Sequence, residues 1–192
     1  NCGESTGDLG IHVLSNEPTK WNAADFWLRW KAATCQGWCP FRDFESILDH
    51  VDANLALNQY EGESNLMQGD AFEAMNALIE EKQRFDVVVM DPPAFIARRK
   101  DIKAGEGAYH RANQLAMRLV AKGGILVSGS CSTHLETGRL HDIVRSNSRQ
   151  LERFSQLVYR GTQAPDHPVH PAIPETEYLK ALFYRVHNNM GL

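Results

Sequence analysis

The run Phe85-Asp86-Val87-Val88-Val89-Met90, followed by Asp91-Pro92-Pro93, constrains this chain more than any other feature. Branched, nearly continuous apolar side chains suit a strand covered on both faces. Prolines lack the N–H a ladder needs, so the strand must stop at the turn. The neighbouring segments follow the same grammar. Asn65-Leu66-Met67-Gln68, closed by Gly69-Asp70, reads as a short strand, and Ala71 to Arg84 sets Phe72, Met75, Leu78 and Ile79 on one helical face. A polar, basic loop is expected to about Gly107, then a helix from Tyr109 to Ala121 ended by a left-handed cap at Gly123-Gly124. Ile125 to Ser130 reads as a strand and Leu135 to Arg149 as a helix. Gln156 to Tyr159 and Leu182 to Val186 close the chain as two strands with no helix between them. Upstream, Glu45 to Gln59 carries Ile47, Leu48, Val51 and Leu55 at helical spacing. The expected fold is α/β: a doubly wound, mostly parallel sheet with an antiparallel C-terminal strand pair.

Residues 1–43 stand apart from this pattern and 44–192 carry it. The first segment holds all four tryptophans without strand periodicity, and Ala23 to Ala33 reads as a helix with Phe26, Trp27 and Trp30 inward. The first residue is Asn1, so the chain reads as a fragment whose first part is a truncated or corrupted half. With 43% hydrophobic and 23% charged residues, the composition excludes wholesale disorder. No run approaches the ~18 apolar residues of a membrane span. Four cysteines without paired CxxC spacing fit a reducing, cytoplasmic setting.

Charge divides unevenly. Residues 1–95 carry 6 Lys/Arg against 16 Asp/Glu, whereas residues 96–192 carry 14 against 8. Arg98, Arg99, Lys100, Lys103, Arg111, Arg118 and Lys122 cluster in one stretch. Such a positive field suits a polyanion such as RNA; the plain alternative is a solvated basic loop.

Sheets of this class bind ligands beyond the carboxyl ends of their strands, so Asp70, Asp91 and Cys131 are the positions to weigh. The prolines after Asp91 hold its carboxylate at the sheet edge, where a planar base could stack while the acid meets its polar edge. Otherwise Asp91 is a solvated strand stop. Cys131, in Ser130-Cys131-Ser132, is either a small buried hydrophobe or a nucleophile for an electron-poor carbon. His134 and nearby cations would lower its pKa. Asp70 suits an exocyclic amino group and equally a helix N-cap. His134/His141, His167/His170 and Cys35/Cys39 have no recognised ligand spacing, so no metal is expected.

Together these residues resemble the cytosine-5 methyltransferases of large-subunit ribosomal RNA that carry an N-terminal PUA domain. The resemblance runs from about Glu45 to Val186. It rests on Gly69-Asp70-Ala71-Phe72, Asp91-Pro92-Pro93-Ala94-Phe95, Ala108-Tyr109-His110-Arg111-Ala112-Asn113, Ser130-Cys131-Ser132, Asp166-His167-Pro168-Val169 and Pro174-Glu175-Thr176-Glu177-Tyr178-Leu179-Lys180. It implies a class I fold, S-adenosylmethionine as methyl donor and ribosomal RNA as partner, and it leaves a homodimer open. Cys131 matches the nucleophile and Asp91 the target-base contact. Asp70, Asp91 and Pro92 fall on the donor side. Pro93, Phe95, Arg98, Arg99, Lys100, Tyr109, Arg111 and His167 fall on the RNA side.

The family's PUA domain, its Asp-x-Phe-Ser-Tyr-x-Gly-Gly-type loop and its ribose-binding acid have no counterpart in residues 1–43. Losing two such contacts weakens donor binding by ~100-fold or more. Two alternatives therefore stand beside the C5 enzyme. One is an N-methyltransferase using the Asp-Pro-Pro turn; the other is a non-catalytic fragment.

Overall fold

The computed structural model describes residues 9–15, 25–30, 57, 63–165 and 167–188. The order is β1 (Leu9–Ser15), β2 (Asp25–Trp30), β3 (Glu63–Gly69), α1 (Ala71–Glu80), β4 (Phe85–Asp91), α2 (Ile102–Leu119), β5 (Val120–Ser130), α3 (Thr137–Gln150), β6 (Arg153–Gly161) and β7 (Lys180–Asn188). The seven strands form one sheet in the order β3-β1-β2-β4-β5-β7-β6.

The α/β class and the antiparallel closing pair β6/β7 match expectation. The sheet is mixed rather than mostly parallel. Among the described residues only β2/β4 and β4/β5 pair in parallel, and β1 runs against both β2 and β3. A second correction concerns Asp25 to Trp30, which forms a strand and not a helix. Its aromatic-rich sequence suits a pleated backbone once parallel β4 supplies the ladder. Residues from 1–43 thus enter the sheet between β3 and β4. The expected helix over residues 45–59 lies outside the described residues apart from Leu57, and so does any second helical layer it would supply.

Among the described helices α2 packs between α1 and α3. The face of β4 carrying Val88 and Met90 is fully buried, whereas Val87 and Val89 are half-buried, so the strand is less evenly covered than its sequence suggests. Leu126, Leu119, Met117 and Met75 join that core. Full burial of each such side chain contributes about 1.5–3 kcal/mol.

Helix α2 begins at Ile102, seven residues earlier than the glycines at 105 and 107 suggest, so the basic loop is short. The reason is tertiary. A Cβ at Gly105 would collide with the Ile96 side chain and lie 2.7 Å from the Phe95 carbonyl oxygen. Close approach to that loop outweighs glycine's helical cost of about 1 kcal/mol. Nor do Gly123 and Gly124 cap the helix. It ends at Leu119, and both glycines lie within β5, where the register slips between Phe85↔Val120 and Val87↔Ile125. Gly123 takes φ 79° there. A Cβ at Gly124 would sit 2.7 Å from the Asp86 carbonyl. Arg153 satisfies nearby backbone oxygens, donating from Nη2 to Val120 (3.1 Å) and Ala121 (3.3 Å).

Candidate active site at the ends of the parallel strands

Parallel pairing sets Met90 beside Ser128, so β4 and β5 release Asp91 and Cys131 at one rim of the sheet. The rim extends further. Because β3 opposes β1 and β1 opposes β2, β3 runs in the same direction as β2 and β4. Gly69 is level with Leu9, Leu9 with Trp30, and Arg29 with Asp91. Asp70 therefore leaves the sheet almost level with Asp91, three strand spacings or about 14 Å away.

Cys131 is half-buried, with Sγ 4.0 Å from the Pro92 carbonyl oxygen. Its neighbour β5 residue Gly129 makes room for the acid: a Cβ there would lie 3.2 Å from Asp91 Oδ1. Burial pushes the Cys131 thiol up, and the Asp91 carboxylate pushes it further. Its own backbone N–H and the Lys180 ammonium act in the opposite direction. This corrects the expectation of a thiol lowered by His134 and the basic stretch. The cation that acts on the sulfur is Lys180, from the far end of the chain.

A buried polar knot fastens the two turns. Ser130 Oγ donates to the Tyr109 hydroxyl (2.9 Å), which is 2.9 Å from Ser132 Oγ. The Ser132 N–H donates to Ser130 Oγ (3.1 Å), and the Ile96 N–H to Ser132 Oγ (3.3 Å). The Tyr109 hydroxyl also lies 3.5 Å from the Pro93 carbonyl oxygen. Each strand end is thereby tied to α2, and their mutual position does not rest on the loops alone.

Tyr109 must consequently be moved off the RNA side. It is fully buried, and its ring meets Phe95 edge-on at 4.8 Å. A side chain sealed in this way has no surface to offer a ligand and instead holds the two turns together. Pro92 is buried, while Pro93 and Phe95 are half-buried beside the site. Arg98, Arg99 and Lys100 are exposed, with Arg98 paired to Asp101 at 2.8 Å. Arg111 is exposed too, but its guanidinium lies over the Phe72 ring at 4.6 Å, on the α1 side. His167 sits exposed in the loop between β6 and β7, where Gln163 Nε2 donates to its carbonyl oxygen (2.8 Å). Asp70 caps α1: Oδ1 accepts from the N–H groups of Phe72 (2.8 Å) and Glu73 (3.1 Å). The carboxylate remains exposed.

A pocket of about 310 Å³ opens on the β7 side of the Cys131 turn, lined in part by Thr133, Glu136, Thr137, Arg160, Glu177 and Lys180. Neither Asp91 nor Cys131 contributes to its wall. Among the described residues no three His, Cys, Asp or Glu side chains cluster in a metal-binding arrangement. No helix among them is long and apolar enough to cross a membrane.

No family model matches the chain. Individual proteins do. A Methanocaldococcus jannaschii protein is 38% identical over 136 residues, covering 70% of this chain and 33% of its own. Ribosomal RNA large subunit methyltransferase I of Shewanella denitrificans is 35% identical over 134 residues, 69% of this chain and 34% of its own. The protein of that name from Yersinia pestis is 31% identical over 153 residues, 79% and 39% respectively. By sequence this chain is kin to the large-subunit ribosomal RNA methyltransferases.

It spans between 33% and 39% of the length of these methyltransferase relatives. A methyltransferase homologue from Pyrococcus horikoshii shares the fold, with a TM-score of 0.51 and 18% identity over 75% of this chain and 50% of that one. At this rim, sequence reasoning did not single out Ser130, Ser132 and Lys180, whose side chains bond to the turn after β5. Each stood in a motif already quoted. What their side chains meet depends on α2 and β7, which no local pattern reveals.

Proposed function

We propose that this chain carries the catalytic part of an S-adenosylmethionine-dependent methyltransferase that forms 5-methylcytosine in large-subunit ribosomal RNA. The carrying observation is the convergence of Cys131 and Asp91 at one rim, tied together from beneath by Tyr109. The names of the sequence relatives support the substrate class.

The rim suits an elongated donor. Two exposed carboxylates, Asp70 and Asp91, stand at the same level on strands that run together. In this reading Asp70 takes the adenine amino group at one end, and the Asp91-Pro92 turn lies by the reacting centre. When bound, the donor supplies an electrophilic methyl group.

Cytosine C5 is a weak nucleophile until something adds at C6. The Cys131 thiol gives up its proton to solvent and Sγ bonds to C6, moving the C5–C6 π electrons toward C5 and the N3–C4 region. N3 takes a proton from solvent as charge develops there, and the Asp91 carboxylate accepts a hydrogen bond from that N3–H. Once C5 has taken the methyl, which leaves the donor sulfonium as a neutral thioether, transfer of the C5 proton to solvent expels Cys131 as thiolate, and release of the N3 proton restores the ring. A resting thiol above its usual range fits a nucleophile that ionises only when substrate arrives: once Asp91 meets a protonated base, its upward push on the sulfur is neutralised.

One observation favours a second reading. A raised thiol pKa is also what an idle cysteine shows, and then the Asp91-Pro92 turn would direct methylation to a nitrogen. Incubation with donor and 5-fluorocytidine-containing ribosomal RNA separates the two, because fluorine at C5 prevents release of the sulfur. A covalent complex in the wild type, absent in Cys131→Ala, is expected. Methylation without any adduct, persisting in Cys131→Ala, establishes the nitrogen reading. Calorimetric titration with the donor tests the non-catalytic reading, which predicts no heat at millimolar ligand.

A further inference from the structure

Lys180 opens β7 opposite Ser130 and is only 8% exposed. Its Nζ donates to the Ser132 carbonyl oxygen at 2.6 Å. A buried ammonium is costly unless an opposite charge meets it. Among the described residues the ion pairs are Arg98–Asp101, Arg139–Glu106 and Arg145–Asp142, and none includes Lys180. The acidic groups that act on it are Glu177, exposed and beyond ion-pair distance, and the Cys131 thiol. The ammonium is thus pinned to the backbone of the residue after the cysteine, with a single carbonyl as partner.

We propose that Lys180 is the counter-ion of the Cys131 thiolate, a positioning charge held by the Ser132 carbonyl so that the sulfur can ionise beside Asp91. The proposal rests on the reading of Cys131 as nucleophile. The thiol proton leaves to solvent, and Lys180 keeps all three of its own. The groups facing the sulfur then act in opposition: Asp91 from β4 disfavours the thiolate, Lys180 from β7 favours it, and Tyr109 from α2 interacts with it as a neutral phenol. Burial pushes the Lys180 pKa down, and the Cys131 thiolate and, after it, Glu177 push it back up.

The test reads thiol ionisation directly. The pH dependence of iodoacetamide modification at Cys131, followed by peptide mass spectrometry, needs neither donor nor RNA. Lys180→Met is expected to slow modification about tenfold at neutral pH, moving the titration upward by about one unit, while Lys180→Arg restores the wild-type curve. An unchanged curve in a folded Lys180→Met overturns the pairing. If that variant does not fold, the coupling is read in reverse, since it is reciprocal. Cys131→Ser is then expected to lower the Lys180 titration observed by NMR at its Cε protons, and a lysine that does not move overturns the pairing. An intact Lys180 effect without a 5-fluorocytidine adduct would instead sink the C5 reading and leave the ion pair standing.

Discussion

The hydroxyl of Tyr109 lies 2.9 Å from that of Ser132, 23 residues away, inside a knot that also engages Ser130. The phenol thus links the middle of α2 to the end of β5. Its pKa is pushed up, first by burial, which fits a neutral hydroxyl that both donates and accepts. Tyr109→Phe leaves the two serines short of a partner in a buried place. A loss of about 1–3 kcal/mol follows, or a Tm lower by roughly 2–10 °C. Thermal denaturation checks the stability, and slower adduct formation at 5-fluorocytidine checks the positioning. A variant as stable and as reactive as wild type would refute the role.

The raised Cys131 thiol has a sign that can be tested. Only thiolate reacts, so its modification by iodoacetamide should keep accelerating with pH beyond the range where an exposed cysteine levels off. Asp91→Asn removes the like charge but not the burial. The curve should shift to lower pH and modification at pH ~8 should quicken. Methyl transfer should nonetheless fall, because the carboxylate that meets the base is gone. An Asp91→Asn curve superimposed on the wild type would show that the two groups do not interact.

Two glycines in the first turns of α2 should respond oppositely to alanine. At Gly107 nothing lies within 4 Å of a built Cβ, so Gly107→Ala should stabilise by up to about 1 kcal/mol through helix propensity. At Gly105 the Phe95 carbonyl oxygen would be 2.7 Å away, so Gly105→Ala should cost about 1–3 kcal/mol by forcing α2 off the loop. Denaturant midpoints measure both. Equal shifts would mean that the close approach is not tight.

Arg139 of α3 grips Glu106 of α2 through two bonds, Nε to Oε1 at 2.8 Å and Nη2 to Oε2 at 2.7 Å. The guanidinium's hydrogen bond holds the Glu106 carboxyl below its usual range. A folded-state value below the unfolded one contributes stability that is complete above the unfolded value, near ~4.3, and is lost as pH falls through the folded one. The arginine is well exposed, so the contribution is about 0–1 kcal/mol. The stability gap between wild type and Glu106→Gln should therefore be seen at pH ~7 and close below pH ~4. A gap that widens in acid would contradict the pair.

Local chemistry in the sequence determined the strand-and-helix alternation from Asn65 onward and the carboxylate at the Asp-Pro-Pro stop. It also determined the cysteine after the next strand and the antiparallel closing pair. Each depends on neighbours within a few residues: apolar runs, prolines without a donor, a helical repeat. Tertiary structure alone decided the rest. It turned Asp25 to Trp30 into a strand by offering β4 as partner, and drew Gly105 into a helix to reach Phe95. It also sealed Tyr109 beneath the rim and carried Lys180 to the sulfur's side of the sheet. The free energy in those cases comes from contacts made across the assembled sheet, between groups ten residues apart for Gly105 and Phe95 and more than twenty apart for the others, and the spacing of residues along the chain does not reveal them.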